Sequence, residues 1–500
     1  MTEHTENQRT KNTRCNILFG LIKTAVSLLL PFITRSVLIY RFGTEYVGLN
    51  SLFTSVLQVL NLAELGVGSA MIFSTYKPLA ENDTEKIGAL MALYRHYYRI
   101  IGGVIAVAGI FLTPFVPFLI KGDVPENINI YILYLLNLGA TVLSYRLFAY
   151  KSSILQASQR NDVISKITIL TNTLQYALQF FAVCVLKDYY LYVIILLVFQ
   201  ALTNIITAVV ADKLYPHYKP KGQLDEVTIK SINQRIKDLF TAKLGYVTVN
   251  FADNIVISAF MGLTVLGVYQ NYYFIMSAVM GFVMIIYNAC TAGIGNSLIT
   301  ETKEKNFSDL QTLTFIICWL SGWCSSCFIC LYQPFMEIWT GNLLSDGEVL
   351  LFGIYFYVYE VNQLLNTYKD ASGIWHKDRF RPLTVSAVNL CLNLLTVNFW
   401  GIYGVLLSTI LSTALIGINW LLRNLFECVF EKSMLKGYVK KLIFYTAVSI
   451  CVCMVTACIC AWTGNFILKV AMCIVIPNIL FYLMYKNNDE FTKSKKIIGR

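Results

Sequence analysis

Charge is what this chain has least of. Only 14% of its 500 residues are Asp, Glu, Lys or Arg, while 56% are hydrophobic. That balance excludes a soluble globular protein. Histidine is scarce as well. His4, His96, His217 and His376 lie far apart in sequence, which argues against a histidine metal cluster. A phosphate loop of the form G-x-x-x-x-G-K-[ST] is missing, so the chain is not its own ATPase. Long polar stretches are missing too. The longest expected outer loop, 334–348, is too short to fold, which excludes chemistry that needs an extramembrane catalytic domain. Residues 1–15 are polar and the apolar run after them is too long for a signal peptide, so none is expected.

What the chain does have is apolar runs long enough to cross a bilayer as helices of about 20 residues. Fourteen are legible between residues 17 and 485. The net charge of +11 is unevenly placed. Most cations fall at the N-terminus, in alternate loops and in the tail from Lys486 to Arg500, whereas the intervening loops hold only Arg41, Lys121, Lys187 and Lys469. This positive-inside pattern places both termini in the cytoplasm of a multi-pass inner-membrane protein, and it argues against nucleic acid as a partner. An even number of spans agrees with it.

Fourteen cysteines lie mostly inside the apolar runs. Cys324-Ser-Ser-Cys327-Phe-Ile-Cys330 contains two C-x-x-C spacings, formally a metal or redox pattern, but no histidine or acid is close in sequence. Small polarizable filler is the expectation, with no metal site and no cofactor.

Two stretches about 220 residues apart resemble each other. In the first, Gly43 and Gly48 separate two apolar segments, and Gly66 and Gly68 end the second of them. Gly262 and Gly267, then Gly293 and Gly295, repeat the arrangement, with eight more residues between the pairs. Such duplication is how two-lobed transporters are built. The expected fold is therefore an all-α integral membrane protein of about 14 transmembrane helices, in two pseudo-symmetric six-helix lobes plus two C-terminal helices. The expected divisions are a cytoplasmic N-terminus (1–15), an N-lobe (16–212), a linker (213–238), a C-lobe (239–428), spans 13 and 14 (429–486) and a basic tail (487–500). The linker becomes amphipathic at Ile229, Ile232 and Ile236, which suits a surface-lying tether.

Ionisable residues within spans are costly and point to function. The cations are Lys23, Arg35, Arg95, Arg99, Arg146 and Lys243; the acids are Glu64, Asp253 and Glu360. Lys23 precedes Gly43 by almost the same interval as Lys243 precedes Gly262. Two readings are open: the lysines hold an anionic headgroup across a central cleft, or both snorkel to the cytoplasmic interface. Arg95 and Arg99, one turn apart, either gather a phosphate or anchor the interface beside Tyr94, Tyr97 and Tyr98. Arg35 and Arg146 are candidates for cavity cations or for ion pairs with Glu64 or Asp253. Glu360 is an equal candidate for a cavity group or an ion-coupling site.

Tyr40-Arg-Phe-Gly-Thr-Glu-Tyr-Val-Gly-Leu49, Leu62-Ala-Glu-Leu-Gly-Val-Gly68 and Phe260-Met-Gly-Leu-Thr-Val-Leu-Gly-Val-Tyr269 occur in an order that resembles one family. It is the polysaccharide-transporter branch (Wzx-like O-antigen and teichoic-acid flippases) of the multidrug/oligosaccharidyl-lipid/polysaccharide (MOP) exporter superfamily. The resemblance covers essentially the whole chain. It implies a MATE-like fold, two lobes around a central cavity, and alternating access. It also implies an undecaprenyl-pyrophosphate-linked oligosaccharide as substrate, flipped outward for surface polysaccharide such as lipopolysaccharide, with Lys23 and Lys243 the nearest matches to the family's cavity cations. A monomer is expected, beside other polysaccharide-assembly proteins. Moving about two negative charges outward across roughly 100 mV releases about 4–5 kcal/mol, so Na⁺ or H⁺ coupling is allowed but not required. A cation-coupled drug antiporter would share the fold, although its usual acid in the first span is replaced here by Lys23 and Arg35. A membrane polysaccharide polymerase fits poorly, for want of a long outer loop; no enzyme activity is expected.

Overall fold

The computed structural model describes the backbone of residues 3–498 except 65, 123 and 126. Its described side chains exclude 3–14, 17, 62, 63, 149, 238, 239, 241–250, 292 and 496–498. Every described element is helical. The first compact unit, Met1–Gly267, contains α1 (Glu3–Phe42), α2 (Thr44–Leu60), α3 (Val67–Ala80), α4 (Thr84–Leu112), α5 (Ile130–Arg146) and α6 (Ser152–Ala157). It continues with α7 (Asn161–Phe181), α8 (Tyr189–Leu214), α9 (Glu226–Met261) and the first turn of α10 (Leu263–Thr300).

The second unit, Val268–Arg500, holds the rest of α10, α11 (Lys303–Trp339), α12 (Asp346–Ser372), α13 (Trp375–Asp378) and α14 (Arg381–Trp400). After these come α15 (Ile402–Leu411), α16 (Asn419–Cys428), α17 (Lys432–Cys460), α18 (Phe466–Tyr485) and α19 (Asp489–Ile498).

Helix starts are written in the local sequence. Asp83, Asn129, Asp188, Asp225, Thr302 and Asn465 each accept a hydrogen bond from a backbone N–H one turn on, and Ser345 with Glu348 closes a reciprocal capping box. The Thr228 hydroxyl and N–H hold the Asp225 carboxyl below the usual carboxylate range. Asp225 opens α9, which runs unbroken to Met261, so the amphipathic residues expected along the membrane surface form the first turns of a long helix. Nothing between Lys237 and Lys243 breaks the backbone hydrogen-bonding pattern.

Among the described residues, ten helical stretches are long and apolar enough to cross a membrane. The other expected spans are helical but short, broken or polar: the α2–α3 pair, α5, α9 (of which only Phe251–Met261 counts among the described residues) and α12. In α2–α3 the break is a 3₁₀ turn at Asn61–Glu64 followed by Gly66 at φ 92°, a left-handed conformation that suits glycine. The matching Gly293 and Gly295 lie within the uninterrupted α10. The two copies thus differ in continuity as well as length.

Gly43 at φ 111° and Gly262 at φ 96° are elbows between consecutive helices, α1–α2 and α9–α10. Beyond each elbow the duplicated glycines meet. A Cβ on Gly48 would lie 2.0 Å from the Leu263 carbonyl oxygen, and one on Gly267 would lie 2.2 Å from that of Thr44. The contact is reciprocal, since each glycine faces the first helical carbonyl of the other copy. Asn254 of α9 extends the joint by donating to Ser55 of α2 at 2.8 Å. This joint places α9 in the first unit, so contacts divide the chain at Gly267 while the duplication suggests a division near 239.

In the second unit, α11 packs against α12, α17, α18 and α19. Phe315, Tyr445, Phe481 and Tyr485 form the centre of that core. Trp319 donates to Asn478 and Trp323 to the Cys473 carbonyl, each at 2.9 Å. Lys441 pairs with Glu490 and ties α19 to α17.

Gly48→Ala and Gly267→Ala should each lower the melting temperature of detergent-purified protein, because a methyl group cannot occupy a carbonyl's position. The overpacking cost is about 1–3 kcal/mol. Gly281→Ala, whose Cβ would meet nothing within 4 Å, should not lower it.

Candidate functional site

The break between α2 and α3 turns Glu64 into the first unit rather than along a helix face. Tyr98 of α4 donates to Glu64 Oε1 at 2.6 Å, and Tyr145 of α5 donates to Oε2 at 2.8 Å. Tyr94, one turn before Tyr98, donates to the Tyr98 oxygen at 2.8 Å. Gly68 admits this chain of hydroxyls, since a Cβ there would lie 3.1 Å from the Tyr94 oxygen. Both carboxylate oxygens act as acceptors, the arrangement of an ionised acid. Among the described residues no cation forms a salt bridge with Glu64; phenols replace the expected arginine.

Glu64 borders a cavity of about 420 Å³. Thr54, Gln58 and Asn61 line it from the α2 side, Asn137, Thr141 and Ser144 from α5, and Gln200 and Asn204 from α8. Asn204 also donates to the Ser144 hydroxyl at 3.1 Å, which holds α8 against α5. Leu57, Leu196 and Leu197 complete the otherwise amide, hydroxyl and carboxylate lining, with no lysine or arginine among the described residues.

The cations lie elsewhere. Lys23 and Arg35 are half-buried on α1, Arg95 is half-buried and Arg99 exposed on α4, and Arg146 is exposed at the end of α5. Lys23, Arg95, Arg99 and Arg146 form no salt bridge among the described residues. The side chain of Lys243 lies outside the described residues; its backbone belongs to α9. Asp253 is buried on α9 beside Asn254.

In the second unit, Glu360 of α12 is 1% exposed. Tyr287 of α10 donates to its Oε2 at 2.9 Å and to its backbone carbonyl at 2.8 Å, while Oε1 has no hydrogen-bond partner. Arg381, expected as a loop cation, is instead buried against Asp378 at 2.8 Å and also donates to Asn366 at 2.7 Å. Asn424 donates to the same Asp378 at 3.1 Å.

Sequence reasoning missed Tyr94, Tyr98, Tyr145 and Tyr287 as the partners of the acids. The first two carry a signal, because they share a helix face four residues apart. Tyr145 and Tyr287 carry none, since each meets its acid from more than seventy residues away in sequence.

Removing either phenol strips a charged group of a donor, at about 1.5–3 kcal/mol. Tyr98→Phe and Tyr145→Phe should each lower thermal stability. Glu64→Gln cannot accept on its nitrogen, so Tyr145→Phe should cost less in that background. Additive losses in the double-mutant cycle would contradict the pairing.

No protein-family model matches the chain, and no curated protein matches it by sequence. Solved structures do. The lipid II flippase MurJ in an inward closed conformation has a TM-score of 0.67 at 16% identity, over 94% of this chain and 99% of that one. An inward-facing multidrug resistance MATE family transporter of the MOP superfamily scores 0.60 at 14% identity, over 82% and 95%. A MOP superfamily transporter from Pyrococcus furiosus, described as having reversed binding-pocket polarity, scores 0.57 at 15% identity, over 85% and 96%. This multi-pass membrane chain therefore has the fold shared by the lipid II flippase and the MATE transporters.

Proposed function

We propose that the chain is a flippase that moves a polyprenyl-pyrophosphate-linked oligosaccharide across the cytoplasmic membrane by alternating access, for surface polysaccharide assembly. The observation that carries this reading is the charge arrangement of the first unit. Lys23, Arg95, Arg99 and Arg146 lie on membrane helices without a salt bridge to a carboxylate among the described residues, while Glu64 is held by tyrosines. Cations in such positions are stabilised by an anion that is not part of the chain. A pyrophosphate is such an anion, and Lys243 is the proposed counterpart of Lys23 in the second copy.

The polar cavity supports the sugar half of the proposal. Asn137, Asn204, Gln58 and Glu64 offer the paired donors and acceptors that match sugar hydroxyls. The fold likeness is consistent with it, since the flippase covers 94% of this chain and the inward-facing MATE transporter 82%.

The second reading is export of a cationic drug in exchange for Na⁺ or H⁺. It is favoured by Glu64, an acid on a cavity that no cation lines among the described residues.

Deletion followed by lipid-linked glycan analysis tests the first reading. Deletion should make lipid-linked glycan accumulate and surface polymer fall. Lys23→Ala, Arg146→Ala and Lys243→Ala should rescue poorly, and Gly281→Ala fully. Unaltered glycan after deletion, together with export of an organic cation, would establish the second reading instead.

A further inference from the structure

Three free cysteines from three helices converge inside the second unit. Cys330 of α11, Cys460 of α17 and Cys473 of α18 are 7%, 2% and 0% exposed. Their Sγ atoms all lie within 4.8 Å of one another, and those of Cys460 and Cys473 are 3.8 Å apart. Leu331, Ala457 and the thioether-bearing Met472 pack around them with Cys327. No histidine or carboxylate joins the group among the described residues.

We propose that Cys330, Cys460 and Cys473 form a trigonal thiolate site for a soft d¹⁰ cation, cuprous copper in particular. An ion with metal–sulfur bonds of about 2.3 Å holds its sulfurs about 3.8–4.0 Å apart. The Cys460–Cys473 separation already has that value, and a small rotation of the Cys330 side chain brings the third sulfur in. An all-sulfur donor set selects soft ions over Ca²⁺, Mg²⁺ or Mn²⁺. Structural zinc is almost always four-coordinate, whereas three donors suit copper(I).

The surroundings hold the donors in place. Trp323 of α11 donates to the Cys473 carbonyl at 2.9 Å, and the Cys327 thiol contacts the same carbonyl at 3.9 Å. These contacts lock the α18 donor against the helix that supplies Cys330. On binding, each coordinating thiol loses its proton to solvent and the sulfur lone pair forms the metal bond. Three thiolates on copper(I) leave a net charge of −2, of which Lys469, one turn before Cys473 on α18, offsets one. A bound ion would fasten the two C-terminal helices to α11, a role independent of any transported substrate.

The test is a titration of reduced, detergent-purified full-length chain with copper(I) against the chelator bathocuproine disulfonate, with zinc in a parallel arm. Wild type should withdraw one copper(I) per chain from the chelator and gain thermal stability. Cys330→Ser and Cys473→Ser should each weaken binding by more than the roughly 10–100-fold that changes outside a ligand shell cost. Cys451→Ser and Cys458→Ser, at exposed positions of α17, should bind as wild type does. Monodisperse elution of each variant shows that it has folded. Failure of wild type to compete, undiminished binding in a folded Cys330→Ser or Cys473→Ser variant, zinc binding in place of copper, or a Cys460–Cys473 disulfide in protein isolated without reductant would each overturn the proposal.

Discussion

The first unit depends on one steric constraint: two helices approach so closely that neither can carry a side chain at the contact. Gly48 lies on the Leu263 carbonyl and Gly267 on that of Thr44, and each follows a left-handed glycine elbow by five residues. Association of helices in lipid gains little from the hydrophobic effect, because lipid tails are as apolar as leucine. Close backbone approach at small residues supplies the dispersion contacts instead. The Asn254–Ser55 hydrogen bond then extends the joint, and α9 packs on α3 as well as on α2.

The acids show how a membrane protein keeps ionisable groups inside without spending its cations on them. Glu64 is held by two phenols and Glu360 by one. A tyrosine hydroxyl stabilises a carboxylate, yet leaves lysines and arginines available for something else. Other buried acids do take cations: Asp162 pairs with Arg160 and Lys166, Glu490 with Lys441, and Asp378 with Arg381, where Asn424 donates to Asp378 and Asn366 accepts from Arg381.

Much of this was legible in the sequence, and the failures have physical causes. Apolar run length located the helices, and the first glycine of each five-residue pair located an elbow; the reciprocal contact of Gly48 and Gly267 came only from the structure. The expected spans that are broken, short or more polar in the structure are those carrying Glu64, Arg146, Asp253 and Glu360. Hydropathy is weakest where ionisable residues fall within the spans, because each charge lowers the mean of its window. Partners distant in sequence stayed hidden. The C-x-x-C pattern paired Cys330 only with Cys327, since Cys460 and Cys473 arrive on later helices. The polarity of 213–238 suggested a tether separate from the next span, whereas its second half, from Glu226, is continuous with α9.

α11 carries a further consequence, one of biosynthetic order. It is the most enclosed of the membrane-length helices, with 56% of its apolar window buried. Its inner face bears Thr314, Ser321, Ser325 and Ser326, whose neighbours include Tyr438 and Cys453, more than 120 residues later in the chain. A nascent chain therefore inserts α11 well before the helices that cover its polar stripe exist. Until then the hydroxyls of Thr314, Ser321 and Ser326 fall back on carbonyls one turn earlier in the same helix. Those internal bonds keep the helix tolerable to lipid while it waits, so the same serines and threonines serve first as self-satisfied passengers and later as the packing surface for α17.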